Sequence, residues 1–253
     1  MIKLKPNDKV PLIESLLLWG KYNKSYIFEP QDKVCKYCDN KRVVEVNKKV
    51  IRCICSFQNY GEYVFGNEMY DLFNTYTGSV SIEDFMDWGT PIQIDKIIAY
   101  TDFLSDYIKN LNKWLLITGP VGCGKTMSLH IIATYFDPWA VYTTSSQFEY
   151  KIKAAINNNT VENCITWLSN IPILIIDDLG AEYYKNDAWV KNQLRTIIDN
   201  RYMKWNERIT IVASNLTKEM LVGSYDPRIG SRLLDNQKSF HYELYLNDYR
   251  RHL

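Results

Sequence analysis

No stretch of about 18 consecutive apolar residues occurs in this 253-residue chain, so nothing in it reads as a membrane-spanning helix. The opening residues, Met1-Ile2-Lys3-Leu4-Lys5-Pro6-Asn7-Asp8, lack the apolar core of a secretory signal. A cytoplasmic location with no membrane partner is therefore expected, and six cysteines there read as metal ligands or free thiols rather than disulfides. Internal repeats are lacking, and the one biased tract, Asn157-Asn158-Asn159, reads as a helix end and turn. Net charge is nearly lacking too, at +1.

That sum hides an asymmetry. Residues 1–55 carry twelve Lys/Arg against six Asp/Glu, whereas residues 56–110 carry two against nine. A basic head before an acidic segment suggests two units with different partners, although two solvated surfaces would give the same pattern. Apolar content of 46% and charge of 23% are ordinary for a globular protein.

Three units are expected along the chain: 1–60, a linker over 61–94, and 95–253. In the first, residues 7–20 suit a short amphipathic helix ending at Gly20, and residues 34–56 alternate cysteines with β-branched residues as a metal-held hairpin would. Cys35-x₂-Cys38-x₁₄-Cys53-x-Cys55 supplies two close thiolate pairs, which can complete a closed tetrahedral Zn²⁺ site. Such a site would hold together a unit too small for its own core. Phe57, Tyr60, Tyr63, Phe65, Tyr70 and Phe73 read as linker aromatics packing onto the next unit.

From about residue 95 helices and strands alternate. Helices are expected over 95–112, 127–136, 146–157, 160–169 and 187–205; strands over 114–118, 140–143, 173–176 and 210–213. Wholly apolar strands separated by helices imply a parallel sheet covered on both faces, an α/β fold.

The chemistry is concentrated in four places. Gly119-Pro120-Val121-Gly122-Cys123-Gly124-Lys125-Thr126 is a complete G-x-x-x-x-G-K-[ST] phosphate loop, set between the strand Trp114–Thr118 and a helix beginning near Met127. Its glycines let backbone N–H groups approach anionic oxygens, Lys125 supplies a charge for the β- and γ-phosphates, and Thr126 offers a hydroxyl to Mg²⁺. A nucleoside triphosphate, ATP, is the expected ligand. Ile173-Leu174-Ile175-Ile176-Asp177-Asp178 places two acids at a strand end about 50 residues later, Asp177 to hold Mg²⁺ through water and Asp178 to orient or deprotonate the attacking water. Asn215, after Ile209-Thr210-Ile211-Val212-Ala213-Ser214, can sense the γ-phosphate or the lytic water, where a lone Asn would be only a turn former. Arg228 and Arg232, in Arg228-Ile229-Gly230-Ser231-Arg232-Leu233, could reach a neighbour's phosphate in a ring or spiral.

With these motifs in order, residues 95–253 resemble AAA+ ATPases of the DnaC/DnaI helicase-loader and IstB group. Leu174-Ile175-Ile176-Asp177-Asp178-Leu179-Gly180-Ala181-Glu182 carries the resemblance, with Ile197-Ile198-Asp199-Asn200-Arg201-Tyr202, Ile211–Leu216, Arg228–Leu233 and Asp248-Tyr249-Arg250. It implies a AAA+ P-loop core without a C-terminal helical lid, preceded by a small zinc-bearing head that contacts a helicase. Cys123 and Met127 depart from the family, which often has a small hydroxyl residue and a His there, but neither removes a catalytic group. In such domains the helices between the second strand and the acidic strand face single-stranded DNA; here that stretch offers Tyr150, Lys151 and Lys153, a set that suits backbone tracking and equally suits the solvated face of an amphipathic helix.

The expectation is thus an ATP hydrolase that self-associates through its AAA+ domain and loads a hexameric replicative helicase onto single-stranded DNA, with ATP, Mg²⁺ and Zn²⁺ as cofactors. An IstB-like helper of a transposase would share the fold and chemistry, and a non-hydrolysing nucleotide-gated adaptor would keep binding alone. A small-molecule kinase fits less well, since no arginine-rich lid follows and Asn215 and Arg232 would go unused.

Overall fold

A computed structural model describes residues 43–46, 49–52, 72–75, 80–82, 93–136, 139–181 and 188–248. In the head, β1 (Val43–Val46) pairs antiparallel with β2 (Lys49–Arg52), Val43 opposite Arg52 and Val46 opposite Lys49. These strands fall within the hairpin expected between the cysteine pairs. Cys35, Cys38, Cys53 and Cys55, the 7–20 helix and most of the 57–73 aromatics lie outside the described residues.

The remaining strands form one parallel sheet. Its members are β3 (Trp114–Thr118), β4 (Ala140–Thr144), β5 (Ile173–Leu179), β6 (Ile209–Ser214) and β7 (Ser239–Glu243), in the order β4-β5-β6-β3-β7. The central strands are buried along their whole length, which is why their sequences are apolar throughout rather than alternating. The register sets Leu115 opposite Ile211 and Thr118 opposite Ser214, so β3 and β6 end level with each other. All the motif-bearing strand ends therefore meet at one edge.

Helices connect the strands. α1 (Ile94–Lys109) buries Ile97, Tyr100, Thr101, Leu104, Tyr107 and Ile108, a stripe with the helical period. α2 (Lys125–Phe136) packs against β4, β5 and β6, and accordingly buries most of its residues. α3 (Ser145–Asn157) begins where the Thr144 side chain accepts a hydrogen bond from the Gln147 amide at 3.1 Å. α4 (Val161–Asn170) and α5 (Ala188–Tyr202) pack together, and α6 (Pro227–Leu233) follows a short helical stretch that ends in a π-helical turn, Leu221–Tyr225.

Two pieces close the core. Phe73 is fully buried against Phe148 and Trp167, with ring centroids at 6.4 and 6.1 Å. Around it, the Thr75 amide donates to the Tyr142 carbonyl at 2.8 Å and the Asn74 side chain accepts from the Tyr142 amide at 3.1 Å, which partly covers edge strand β4. At the opposite end of the sheet from the motifs, Arg201 is completely buried. Its guanidinium donates to the Thr210 hydroxyl and to the carbonyls of Leu168, Ile171, Pro172 and Ile209, tying the end of α5 to the starts of β5 and β6.

Candidate functional site

The phosphate loop runs from the end of β3 into α2. Gly119, Gly122 and Gly124 have φ values of 156°, 81° and 98°, in the region that disfavours any side chain. Space forbids one as well: a Cβ on Gly119 would stand 2.2 Å from the Leu244 carbonyl oxygen, and a Cβ on Gly122 would stand 2.0 Å from the Asp248 carboxylate. The segment after β7 therefore crosses the loop. It is tied down where the Leu244 amide donates to the Thr118 carbonyl at 2.7 Å.

Lys125 is buried at the first turn of α2, and its ammonium donates to the carbonyls of Gly119 at 2.8 Å and Pro120 at 2.6 Å. It also lies 3.7 Å from the Cys123 sulfur. Burial pushes the Cys123 thiol up in spite of that ammonium, so Cys123 behaves as a small loop residue and not as a nucleophile. Thr126 is exposed and Met127 buried, while Pro120 and Val121 form the exposed tip of the loop.

On β5 the ladder to β6 is irregular. Ile176 lies opposite Val212 but Leu179 opposite Ser214, so β5 spends one extra residue at Asp177-Asp178. Asp178 takes up the irregularity with φ at 53°, a left-handed conformation that Asp tolerates better than most residues. The bulge is clamped by the Ser214 hydroxyl, which donates to the Leu179 carbonyl at 2.6 Å, and by the Ser145 hydroxyl, which donates to the Asp178 carbonyl at 2.7 Å.

The two acids are thereby given different surroundings. Asp177 is buried; one carboxylate oxygen accepts from the Tyr142 hydroxyl at 2.8 Å and the other from the Asp178 amide at 2.8 Å. Asp178 is half-buried, and its carboxyl is held above the ordinary range by burial and by the Asp177 charge, with Lys125 opposing. A carboxyl so raised is a better proton acceptor near neutrality than a solvated one. Burial, reinforced by Asp177, likewise keeps the Tyr142 phenol protonated.

Mg²⁺ fits this donor set. The Asp177 carboxylate spends one lone pair on each oxygen and keeps others, and the Thr126 hydroxyl is accessible. No group of three or more His, Cys, Asp or Glu among the described residues could hold a metal alone. Magnesium bound through one carboxylate and substrate phosphates needs no such cage. The cysteines expected to bind zinc lie outside the described residues.

Asn215 is exposed directly after β6, level with the point where Gly119 leaves β3. Arg228 and Arg232 are carried by α6, whose first turn is capped by Asp226 through the amides of Arg228 at 2.9 Å and Ile229 at 3.1 Å. Arg232 is engaged with its own α5: its Nε lies 3.3 Å from Asp199 Oδ1 and its guanidinium 4.4 Å over the Tyr202 ring. Arg228 is exposed. The structure therefore gathers Lys125, Thr126, Asp177, Asp178 and Asn215 at one sheet edge, and holds the two arginines apart on α6. Of the three candidate DNA contacts, Tyr150 is 72% exposed, Lys151 is half-buried, and Lys153 pairs with Glu149 at 2.7 Å. That pairing reduces the free charge the set can offer to a phosphate backbone.

Reading the sequence alone missed three contributors: Tyr142, Ser214 as a clamp, and the Leu244–Asp248 segment over the loop. Ser214 and the third lay inside matching motifs, Ile211–Leu216 and Asp248-Tyr249-Arg250, whereas Tyr142 carried no signal.

Comparison with known proteins agrees with this geometry. Residues 115–234 match the family described as ATPase family associated with various cellular activities (AAA). The chain is 25% identical over 247 residues to the replicative helicase loader DnaI of Bacillus subtilis, covering 86% of this chain and 75% of that protein. Among solved structures, AMPPCP-bound DnaA from Aquifex aeolicus superposes with a TM-score of 0.55 at 17% identity, over 70% of this chain and 54% of that one. The DnaC helicase loader gives 0.53 at 17% identity, over 66% and 97%. The structural likenesses are of fold. This chain spans only about half of the DnaA chain it matches. Together, the matched segment, the DnaI similarity and the fold support an AAA-type nucleotide-binding ATPase core similar to those of helicase loaders.

Proposed function

We propose that this protein is an ATP-hydrolysing loader that places a hexameric replicative helicase on single-stranded DNA. The observation that carries the proposal is the convergence of Lys125, Thr126, Asp177, Asp178 and Asn215 at one sheet edge, in a chain similar along 86% of its length to a helicase loader. Lys125 would leave the Gly119 and Pro120 carbonyls for the β- and γ-phosphates. Asp177 and Thr126 would hold Mg²⁺, which neutralises phosphate charge when bound. Asp178 would take the proton of the attacking water, and Asn215 would orient that water. Arg232 would leave Asp199 to stabilise charge at a neighbouring subunit's site, so that turnover depends on assembly. The zinc-bearing head would grip the helicase.

Separating binding from turnover tests the catalytic part. Lys125→Ala should lose ATP binding, while Asp178→Asn should keep it and stop phosphate release. ATP bound tightly by the wild type but never hydrolysed, even with single-stranded DNA, would leave a nucleotide-gated adaptor instead.

A further inference from the structure

On the ATP-site reading, Asp177 presents a carboxylate to a hydrated cation from β5, where every residue except Asp177 and Asp178 is apolar. The structure shows what holds it. The Tyr142 hydroxyl, from the neighbouring strand β4, donates to one Asp177 oxygen at 2.8 Å; the pair is set by the parallel register that puts Tyr142 opposite Ile175 and Thr144 opposite Asp177. The other Asp177 oxygen is taken by the Asp178 amide at the bulge. Both side chains are buried, Asp177 at 1% and Tyr142 at 4% exposure, so neither bond exchanges freely with water. The Tyr142 ring is in turn fixed from the side of α2, where the His130 ring meets it edge-on at 4.8 Å. His130 lies five residues after Lys125 on the helix that the phosphate loop opens.

We propose that Tyr142 is a positioning residue for magnesium: its hydroxyl locks the Asp177 carboxylate in the orientation that receives the hydrated ion and, through His130, ties that orientation to the phosphate-loop helix. The proposal rests on the ATP-site reading above and adds to it a residue that acts through Asp177. A buried tyrosine could simply fill space and satisfy its own hydroxyl, so the two roles must be separable. Outer-shell partners that orient a metal's ligand are worth about 10–100-fold in metal affinity, whereas a filler acts on stability alone.

The test is nucleotide affinity of the full chain as a function of Mg²⁺ concentration, read with a fluorescent ATP analogue, in Tyr142→Phe and Tyr142→Gln. Phe keeps the ring and loses the donor; Gln keeps a donor and loses the ring. The positioning role predicts that Phe raises the Mg²⁺ half-saturation about tenfold while leaving Mg²⁺-free affinity unchanged. Gln, whose amide falls short of the Asp177 oxygen from this position, should shift the Mg²⁺ response as Phe does and melt at lower temperature than Phe. A Mg²⁺ response in Phe equal to that of the wild type would make Tyr142 a core residue only. Asp177→Asn serves as the control. If it shifts the Mg²⁺ response and Tyr142→Phe does not, the positioning role fails alone; if Asp177→Asn shifts nothing either, the site assignment fails with it.

Discussion

At the scale of the residue, Asp178 combines three liabilities: a left-handed φ, partial burial and a carboxylate neighbour. Its folded pKa is raised, so the stability it contributes is present below its unfolded pKa and lost as pH rises through the folded one. Asp178→Asn, which tolerates the same φ and carries no charge, should therefore melt higher than the wild type at pH 8. The gap should close as pH falls and the wild-type carboxyl takes up its proton, as thermal melts across pH 4–8 would show. Equal melting temperatures throughout would mean that the Asp178 environment is not the one described.

At the scale of the element, the strand-loop-helix around Gly119–Thr126 and the acidic end of β5 were legible because each is a contiguous pattern with one physical cause. Phosphates need glycines and a lysine at fixed spacing, and a buried parallel strand needs an unbroken apolar run. Helix ends were read to within a few residues. What stayed hidden was made by long-range pairing. β7 reads Ser239-Phe240-His241-Tyr242-Glu243, mixed in polarity because it is an edge strand, and only its register on β3 reveals it. The bulge at Asp177-Asp178 exists only relative to β6. Arg201 stood out as part of a motif, yet it serves the sheet end away from the nucleotide. The chain beyond β7 showed a motif, Asp248-Tyr249-Arg250, but not its place, and it brings the Asp248 carboxylate against Gly122. That anion beside a phosphate loop should oppose nucleotide binding, so Asp248→Ala should tighten ATP affinity severalfold in equilibrium titrations. An unchanged or weaker affinity would mean that the segment supports the loop instead of competing with its ligand.

At the scale of the whole molecule, α6 keeps Arg232 on Asp199 and Tyr202, and under the proposed function it would leave them to serve the site of a second copy. Arg232→Ala should bind ATP normally and hydrolyse it poorly, by about 10³-fold or more if it behaves as other arginine fingers do. Mixing it with Lys125→Ala should restore part of the turnover, because the second variant lends its arginine to the first variant's intact loop. Wild-type turnover should rise with protein concentration and with single-stranded DNA; no rescue and no concentration dependence would mean a self-contained site. In the head, about one Zn²⁺ per chain is expected by metal analysis of protein purified without chelator.

Under the proposed function, ATP turnover in this chain governs a grip on a replicative helicase. The full chain, immobilised and offered the source organism's replicative helicase, should retain it. Addition of ATP and single-stranded DNA should release the helicase from the wild type but leave it on Asp178→Asn. Failure of both proteins to retain the helicase under any nucleotide condition would mean that this chain is not a helicase loader.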